Sequence, residues 1–312
     1  MPGSQQVAQV DKLLTNISNK IVPEGYISEQ ILPLVNVVQS TGLIGAYGTS
    51  HLRIETTLTG GKNKYPRVDT RTYSTQQYNI AEHGLSDIIT RADYANVESP
   101  FDAEADTTDE LVTKLWLGKE KGLADSLTST SVLTQNTTLS GTDQYSDYSA
   151  SDPLGDFATA RLTIQAAVGM MPDTAIMSWA VFDKIRTHPD FLVNLGYNYH
   201  KPGGLTLGEL ASAMGVKRVL VGSAVYETAK EGQTSSIDAV WGKHIIFAVA
   251  PTAAKKRQIS LGYRFQQFGA PRKVYKNVLG NPPGAKEILV GDAYEQLLSS
   301  VKAGYLIKNA IA

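Results

Sequence analysis

The apolar residues of this chain change their spacing several times, and each change marks a predicted element. Through residues 1–50 they come in short clusters, first Val7, Val10, Leu13 and Leu14, then Ile31, Leu32, Leu34, Val35, Val37 and Val38, with Pro23-Glu24-Gly25 and Pro33 between. That spacing predicts one short helix followed by extended chain. Such an arm is a poor independent domain and must bury its apolar side on its own body or on a neighbouring subunit. From residue 52, Leu52, Ile54, Thr56 and Leu58 alternate with Arg53, Glu55, Thr57 and Thr59, which is the period of a strand with one wetter face. Gly60-Gly61 breaks the run, and the Thr-, Tyr- and Gln-rich stretch from Tyr65 to Ile80 reads as a return leg. An isolated hairpin is marginal in water, so this excursion needs a partner surface.

A stripe of Val112, Trp116, Leu123 and Leu127 predicts a helix from Thr107 to about Ser129, with Thr107-Thr108-Asp109-Glu110 as a capping box. Its ~22 residues would span ~33 Å. Gly118 and Gly122 inside it either bend the helix or admit another backbone. After a polar linker over 130–152, a compact α/β pattern begins: helix Leu154 to Val168, strand Thr174 to Trp179, and a helix from Val181 to Ile185 that stops before His188-Pro189. Thr206 to Glu209 is a second capping box, followed by Leu207, Leu210, Ala211 and Met214 on one face and Gly215 as the residue that ends the helix. Val219 to Val225 and Ala239 to Val249 read as strands. Ile288 to Gln296 and Tyr305 to Lys308 read as closing strands that return to the lobe of the long helix.

Composition narrows the possibilities. The 312 residues carry 29 Lys and Arg against 30 Asp and Glu, a net −1 that argues against a general polyanion binder. The apolar fraction of 42% supports a folded chain. With no cysteine there are no disulfides, thiolate metal sites or thiol catalysis. No apolar run reaches the ~20 residues of a membrane span, and the N-terminus lacks a secretory pattern, so synthesis in the cytosol is expected.

Charge is unevenly spread. Residues 60–72 hold Lys62, Lys64, Arg67 and Arg71 against Asp69, a net +3, whereas residues 98–110 hold Glu98, Asp102, Glu104, Asp106, Asp109 and Glu110 with no Lys or Arg. Residues 255–286 contain Lys255, Lys256, Arg257, Arg264, Arg272, Lys273, Lys276 and Lys286 and no acid. This basic stretch is a mix of solvated and paired charges, a contact for an acidic patch on another subunit, or a face for sequence-independent phosphate contacts with DNA.

Catalytic signals are thin. His51, His83, His188, His200 and His244 are scattered, and the chain lacks His-Glu-x-x-His, a G-x-S-x-G elbow and a phosphate-binding P-loop. His188 is expected at a helix end, where an imidazolium meets backbone carbonyls. Gly203-Gly204 reads as a loop rather than an anion site, and Asp106 with Asp109 as a helix start rather than an acid–base pair. No catalytic, cofactor-binding or metal-ligating residue is therefore assigned.

The order of parts is informative: apolar arm, basic ribbon, acidic entry to a long helix, compact α/β insert, closing strands. That order resembles the major capsid proteins of tailed bacteriophages, whose α+β fold also builds encapsulin shells. Local phrases carry the resemblance too: Trp179 to Leu195 with His188-Pro189-Asp190, Leu210-Ala211 through Gly215-Val216-Lys217-Arg218 to Ala224, and Trp241-Gly242 before an apolar strand.

The resemblance implies an N-terminal arm at 1–51 and an extended loop at 52–84. It implies a peripheral domain from 85–150 and 251–312 with a spine helix at about 107–129, and an axial domain at 151–250. It implies a non-catalytic shell subunit without cofactor, which forms pentamers and hexamers around double-stranded phage DNA and touches that DNA nonspecifically. The loop tip (Lys62, Lys64, Arg67, Arg71) would lie across a neighbour's acidic helix entry, with Lys255, Lys256, Arg257, Arg272, Lys273 and Lys276 facing another subunit or DNA. Loop lysines that cross-link to asparagine in some relatives are expected to act noncovalently here. An arm that starts almost at Met1 implies a separate scaffolding protein, alongside a portal and decoration proteins, with assembly in the host bacterial cytoplasm and a final place in the virion. The alternatives are an encapsulin-like cellular compartment and an α/β enzyme with its site in 151–250.

Overall fold

The computed structural model describes residues 9–46, 49–55, 57–58, 65, 74–96, 102–197, 201–255, 258–268, 272–280 and 284–312. In chain order, the first part contains β1 (Gln9–Val10), α1 (Lys12–Lys20), α2 (Ser28–Ile31), β2 (Leu34–Val37), β3 (Thr41–Ala46), β4 (Ser74–Asn79), β5 (Ala81–Ile89), α3 (Arg91–Asn96) and α4 (Ala103–Thr128). The middle contains β6 (Asn136–Thr138), α5 (Pro153–Val168), β7 (Thr174–Ser178), α6 (Trp179–Ile185), α7 (Pro189–Asn194), α8 (Leu207–Met214), β8 (Arg218–Gly222), β9 (Val225–Glu227), β10 (Ile237–Ala239) and β11 (Ile245–Ala248). Strands β12 (Gly262–Gln267), β13 (Lys273–Val278), β14 (Lys286–Leu298) and β15 (Gly304–Lys308) follow.

Two sheets organise the chain. One runs β1-β13-β14-β12-β2, with β5 on the other side of β14; the second runs β6-β15-β11-β7-β8. Helix α4 joins them. The apolar residues of its first half, Leu111, Val112 and Trp116, pack on Val274, Ile288 and Val290 of the first sheet. Those of its second half, Leu123, Ala124 and Leu127, pack on Ile176, Ile246 and Leu306 of the second. At 26 residues and 1.5 Å per residue the helix is about 39 Å long, enough to span both.

The second sheet is sandwiched. Strand side chains alternate between its faces: Ala175 and Met177 face α5 to α8, whereas Ile176 between them faces α4. The helical side is filled by aromatic rings around Phe157, with Phe247 at 5.1 Å, Phe191 at 5.6 Å and Tyr145 at 5.7 Å between centroids. Local signals operate as expected here. Thr206 and Glu209 form the reciprocal capping box, and Gly215 closes α8 in the left-handed region at φ 68°.

Several expectations change. The long helix starts at Ala103, capped by Asp102 accepting from the Glu104 N–H at 3.0 Å. Thr108, expected inside a cap, instead donates to the Glu104 carbonyl at 2.7 Å. Strand β15 lies between β6 and β11 in the second sheet rather than in the first, because the apolar run Tyr305, Leu306 and Ile307 completes that core. Leu139 and Tyr145 of the polar linker are buried in the same core.

The arm packs on its own chain. Leu14, Ile27, Ile31 and Leu32 are buried, β1 pairs with β13, and β2 runs parallel to β12. The arm thus covers part of its apolar side on its own chain, while Val10, Leu13, Val22 and Val38 stay exposed. The outgoing leg of the ribbon is also shifted. It is β3, not 52–58, that pairs with β4, in register from Thr41 opposite Asn79 to Ala46 opposite Ser74. Gly42 lies against the Tyr78 ring, where a β-carbon would meet the ring at 2.5–2.9 Å. Tyr78 in turn stacks on Phe265 at 4.7 Å and anchors the ribbon's foot.

Candidate assembly surfaces

Between the two sheets the arm is fastened by buried polar groups that the sequence reading did not single out. Glu120 is fully buried, and its carboxyl accepts from the Ile27 N–H at 3.0 Å, the Ser28 N–H at 2.8 Å and the Trp241 indole N–H at 2.7 Å. One side chain of α4 thereby holds the arm and the second lobe together. One residue before it, Lys119 Nζ meets Glu29 at 2.7 Å and Asp292 at 3.9 Å, between the rings of Tyr294 and Trp116. Arg264 pairs with Glu29. Arg272 pairs with Asp292 at 3.3 Å and donates to the Ser18 carbonyl at 2.9 Å.

The acidic helix entry divides into an inner and an outer part. Glu104 turns inward, where Lys276, Lys286 at 2.6 Å and the Tyr94 hydroxyl at 2.8 Å converge on its carboxylate. Burial pushes its pKa up, but the two ammonium groups and the hydroxyl outweigh burial and hold it at about 2. Asp102, Asp106, Asp109 and Glu110 are exposed, with Glu110 paired to Lys114 at 2.6 Å. Glu104, Arg272 and Lys276, expected at subunit or DNA contacts, are thus engaged within the chain. The acidic entry and the basic stretch meet in one subunit because β13 and β14 pack on the start of α4. Lys255 is exposed and Lys273 half-buried. Glu98, Lys62, Lys64, Arg67, Arg71, Lys256 and Arg257 lie outside the described residues.

Glu104 titrates lower in the folded chain than its ordinary 4.5. Its contribution to stability is therefore complete above about pH 4.5 and is lost as pH falls toward 2. The urea midpoint of a Glu104→Gln variant should accordingly vary less with pH across that interval than that of the parent chain.

One serine–histidine contact invites a catalytic reading and fails it. Ser151 Oγ lies 3.0 Å from His188 Nε2, in a site where His188 is fully buried. His188 caps the N-terminus of α7, with Nδ1 accepting the Asp190 N–H at 3.3 Å. A neutral ring that accepts at Nδ1 carries its proton on Nε2, and burial lowers the His188 pKa below 6.5 despite the pull of Asp190 and Asp152. The ring thus donates to Ser151, whose own hydroxyl donates to the Asp147 carbonyl at 2.6 Å. A general base needs the opposite polarity. The neutral ring at a helix start also replaces the expected imidazolium facing carbonyls. Among the described residues, no cluster of three His, Asp or Glu side chains could hold a metal ion, and no helix is long and apolar enough to cross a membrane.

The outward features lie on the ribbon and the first sheet's edge. Leu43 on β3 is 70% exposed, and Ile54 and Leu58 beyond it are 97% and 88% exposed. Strand β5 is exposed at every residue except Ile89.

No family model matches the chain. Among curated proteins it is similar to the major capsid protein of Burkholderia phage BcepMu, with 25% identity over 96% of each chain. Among solved structures it is similar to a phage-related protein from Bordetella bronchiseptica RB50, with a TM-score of 0.72, 23% identity and coverage of 98% of this chain and 99% of that one. It also shares its fold with the capsid structure of cyanophage P-SCSP1u, with a TM-score of 0.61, 7% identity and coverage of 93% and 89%. The chain thus shares a capsid-type fold over nearly its whole length and is similar in sequence, end to end, to a phage major capsid protein.

Proposed function

We propose that copies of this chain assemble into the icosahedral shell of a phage virion around double-stranded DNA. The protein is structural rather than enzymatic, in keeping with its capsid relatives. The observation that carries the reading is end-to-end similarity to a phage major capsid protein. An encapsulin-like compartment would use the same fold, but the curated similarity favours the virion.

In this reading the first sheet with the N-terminal half of α4 is the peripheral domain. The second sheet with its helices is the axial domain, which gathers around five-fold and six-fold axes in pentamers and hexamers. The proposed axial domain gains the linker after α4 and β15 relative to the boundaries expected from sequence. The excursion between β3 and β4 is the extended loop. Its basic residues Lys62, Lys64, Arg67 and Arg71 meet the exposed acids Asp102, Asp106, Asp109 and Glu110 of an adjacent copy, with complementarity setting register and encounter rate. Lys255 and Lys273 remain candidates for subunit or DNA contact. Assembly takes place in the host cytoplasm with separate scaffolding, portal and decoration proteins.

Electron microscopy of the purified chain tests the shell directly: closed particles are expected, and a discrete monomer under all assembly conditions would refute it. Reversing two loop charges, Lys62→Glu with Arg67→Glu, should leave the circular dichroism melt unchanged while lowering particle yield about tenfold or more.

A further inference from the structure

Strand β5 is an open edge. It pairs with β14 over its whole length, from Ala81 opposite Tyr294 to Ile89 opposite Lys286, and with no strand on its other side among the described residues. Edge strands present unpaired N–H and C=O groups, which soluble proteins blunt with Lys, Pro, bulges or cover. The sequence Ala81 to Ile89 contains neither Lys nor Pro. Its one local shield is Asp87, whose carboxylate takes the Ile88 N–H at 2.8 Å, so the edge stays open from Ala81 to Ser86. On the face away from α4, Gly84 stands opposite Gly291 and Ser86 opposite Leu289. The paired glycines leave a hollow of about 440 Å³ beside Tyr275 and Leu289.

The same chain holds a strand pattern without a strand. Residues 53–58 alternate apolar and polar, yet their described residues belong to no sheet, and Ile54 and Leu58 are almost wholly exposed. A polypeptide with an unpaired strand sequence and an uncovered edge can satisfy both by exchange between copies, since main-chain hydrogen bonds supply affinity and alternate side chains supply register. Charge agrees: the segment leads into the +3 stretch at 60–72, and the edge carries Glu82 and Asp87 with no Lys or Arg.

We propose that residues 53–58 of one copy add as an outer strand to β5 of an adjacent copy, with Ile54 and Leu58 turned toward the Gly84–Gly291 hollow. This rests on the shell reading and gives its subunit contact a specific form.

The absence of cysteine makes disulfide trapping clean. Ile54→Cys is combined with Ser86→Cys or with Glu82→Cys, which allows for either register on that face, and each single variant serves as a control. Particles are confirmed by electron microscopy, oxidised mildly and run on non-reducing gels. The expected result is a ladder of linked chains that needs both cysteines and arises only in particles. A ladder from Ser86→Cys alone would mean that two β5 edges meet each other, and would overturn the inference. Well-formed particles without ladders in either pairing would do the same. The unmodified chain gives a reading free of folding effects: on assembly, amide exchange at residues 81–86 should slow at least tenfold, and unchanged exchange there contradicts the inference while leaving the shell intact. Failure of the unmodified chain to form particles removes the shell reading, and the inference with it.

Discussion

Glu120→Ala is expected to lower the unfolding free energy by about 3–5 kcal/mol, because it orphans three buried donors from two distant parts of the chain. The Ile27 and Ser28 amides and the Trp241 indole N–H all point at this carboxyl from buried residues. Glu120→Gln should fall between: its amide oxygen still accepts, but its NH₂ group faces a donor. Urea midpoints at constant slope measure the effect. Amide exchange at Ile27 and Ser28 localises it, since those two protons should become the fastest-exchanging in α2 and its flank. A loss below about 1 kcal/mol would mean that the arm is held by its apolar contacts alone.

The second large effect concerns alkaline pH. Burial pushes Lys119 down to about 8; Asp292 and Glu120 pull it back and Arg272 pushes it further. Between about pH 8 and its ordinary 10.5, the unfolded chain holds a proton that the folded chain has released. Stability therefore rises with pH across this window, and the penalty for burying the ammonium is felt in full below it. The difference from a Lys119→Met variant should amount to about 3 kcal/mol over the window. That variant keeps Arg264 on Glu29 and Arg272 on Asp292, so each carboxylate retains a cation and the fold should persist. Parallel pH profiles for the two chains would show that the ion pairs with Glu29 and Asp292 fully offset desolvation.

The parts of the fold that were legible in the sequence are those set by neighbours along the chain. The stripe through Val112, Trp116, Leu123 and Leu127 announces the spine helix, and the Thr206–Glu209 box and Gly215 mark both ends of α8. Illegible features depend on distant partners. Two glycines in β3 hide its strand character, and its pairing is decided by Tyr78 and the sheet below it. Residues 52–58 carry a better strand pattern, but their described residues join no strand among the described residues. Thr107 and Glu110 form an acceptable local cap, yet Asp102 offers an earlier one and the Ala- and Glu-rich turn between continues the helix. One missed signal was present: Lys119 and Glu120 fall on the buried stripe itself, a position where charges are rarely tolerated unless partnered. The inward pairing of Glu104 with Lys276 and Lys286 could not be read from charge counts, which carry no direction.

The place of β15 has a consequence for how a subunit comes to exist during translation. The strand at Gly304–Lys308 sits inside the second sheet, flanked by β6 and β11, so the sheet cannot close until the chain has left the ribosome well beyond both Thr138 and Ala248, where those neighbours end. A polypeptide interrupted by a premature stop or a stalled ribosome lacks an interior strand and exposes Ile246 and Phe247. Such fragments should be drawn off by chaperones and proteases rather than built into a lattice, so that the fold itself acts as a length check on what is incorporated.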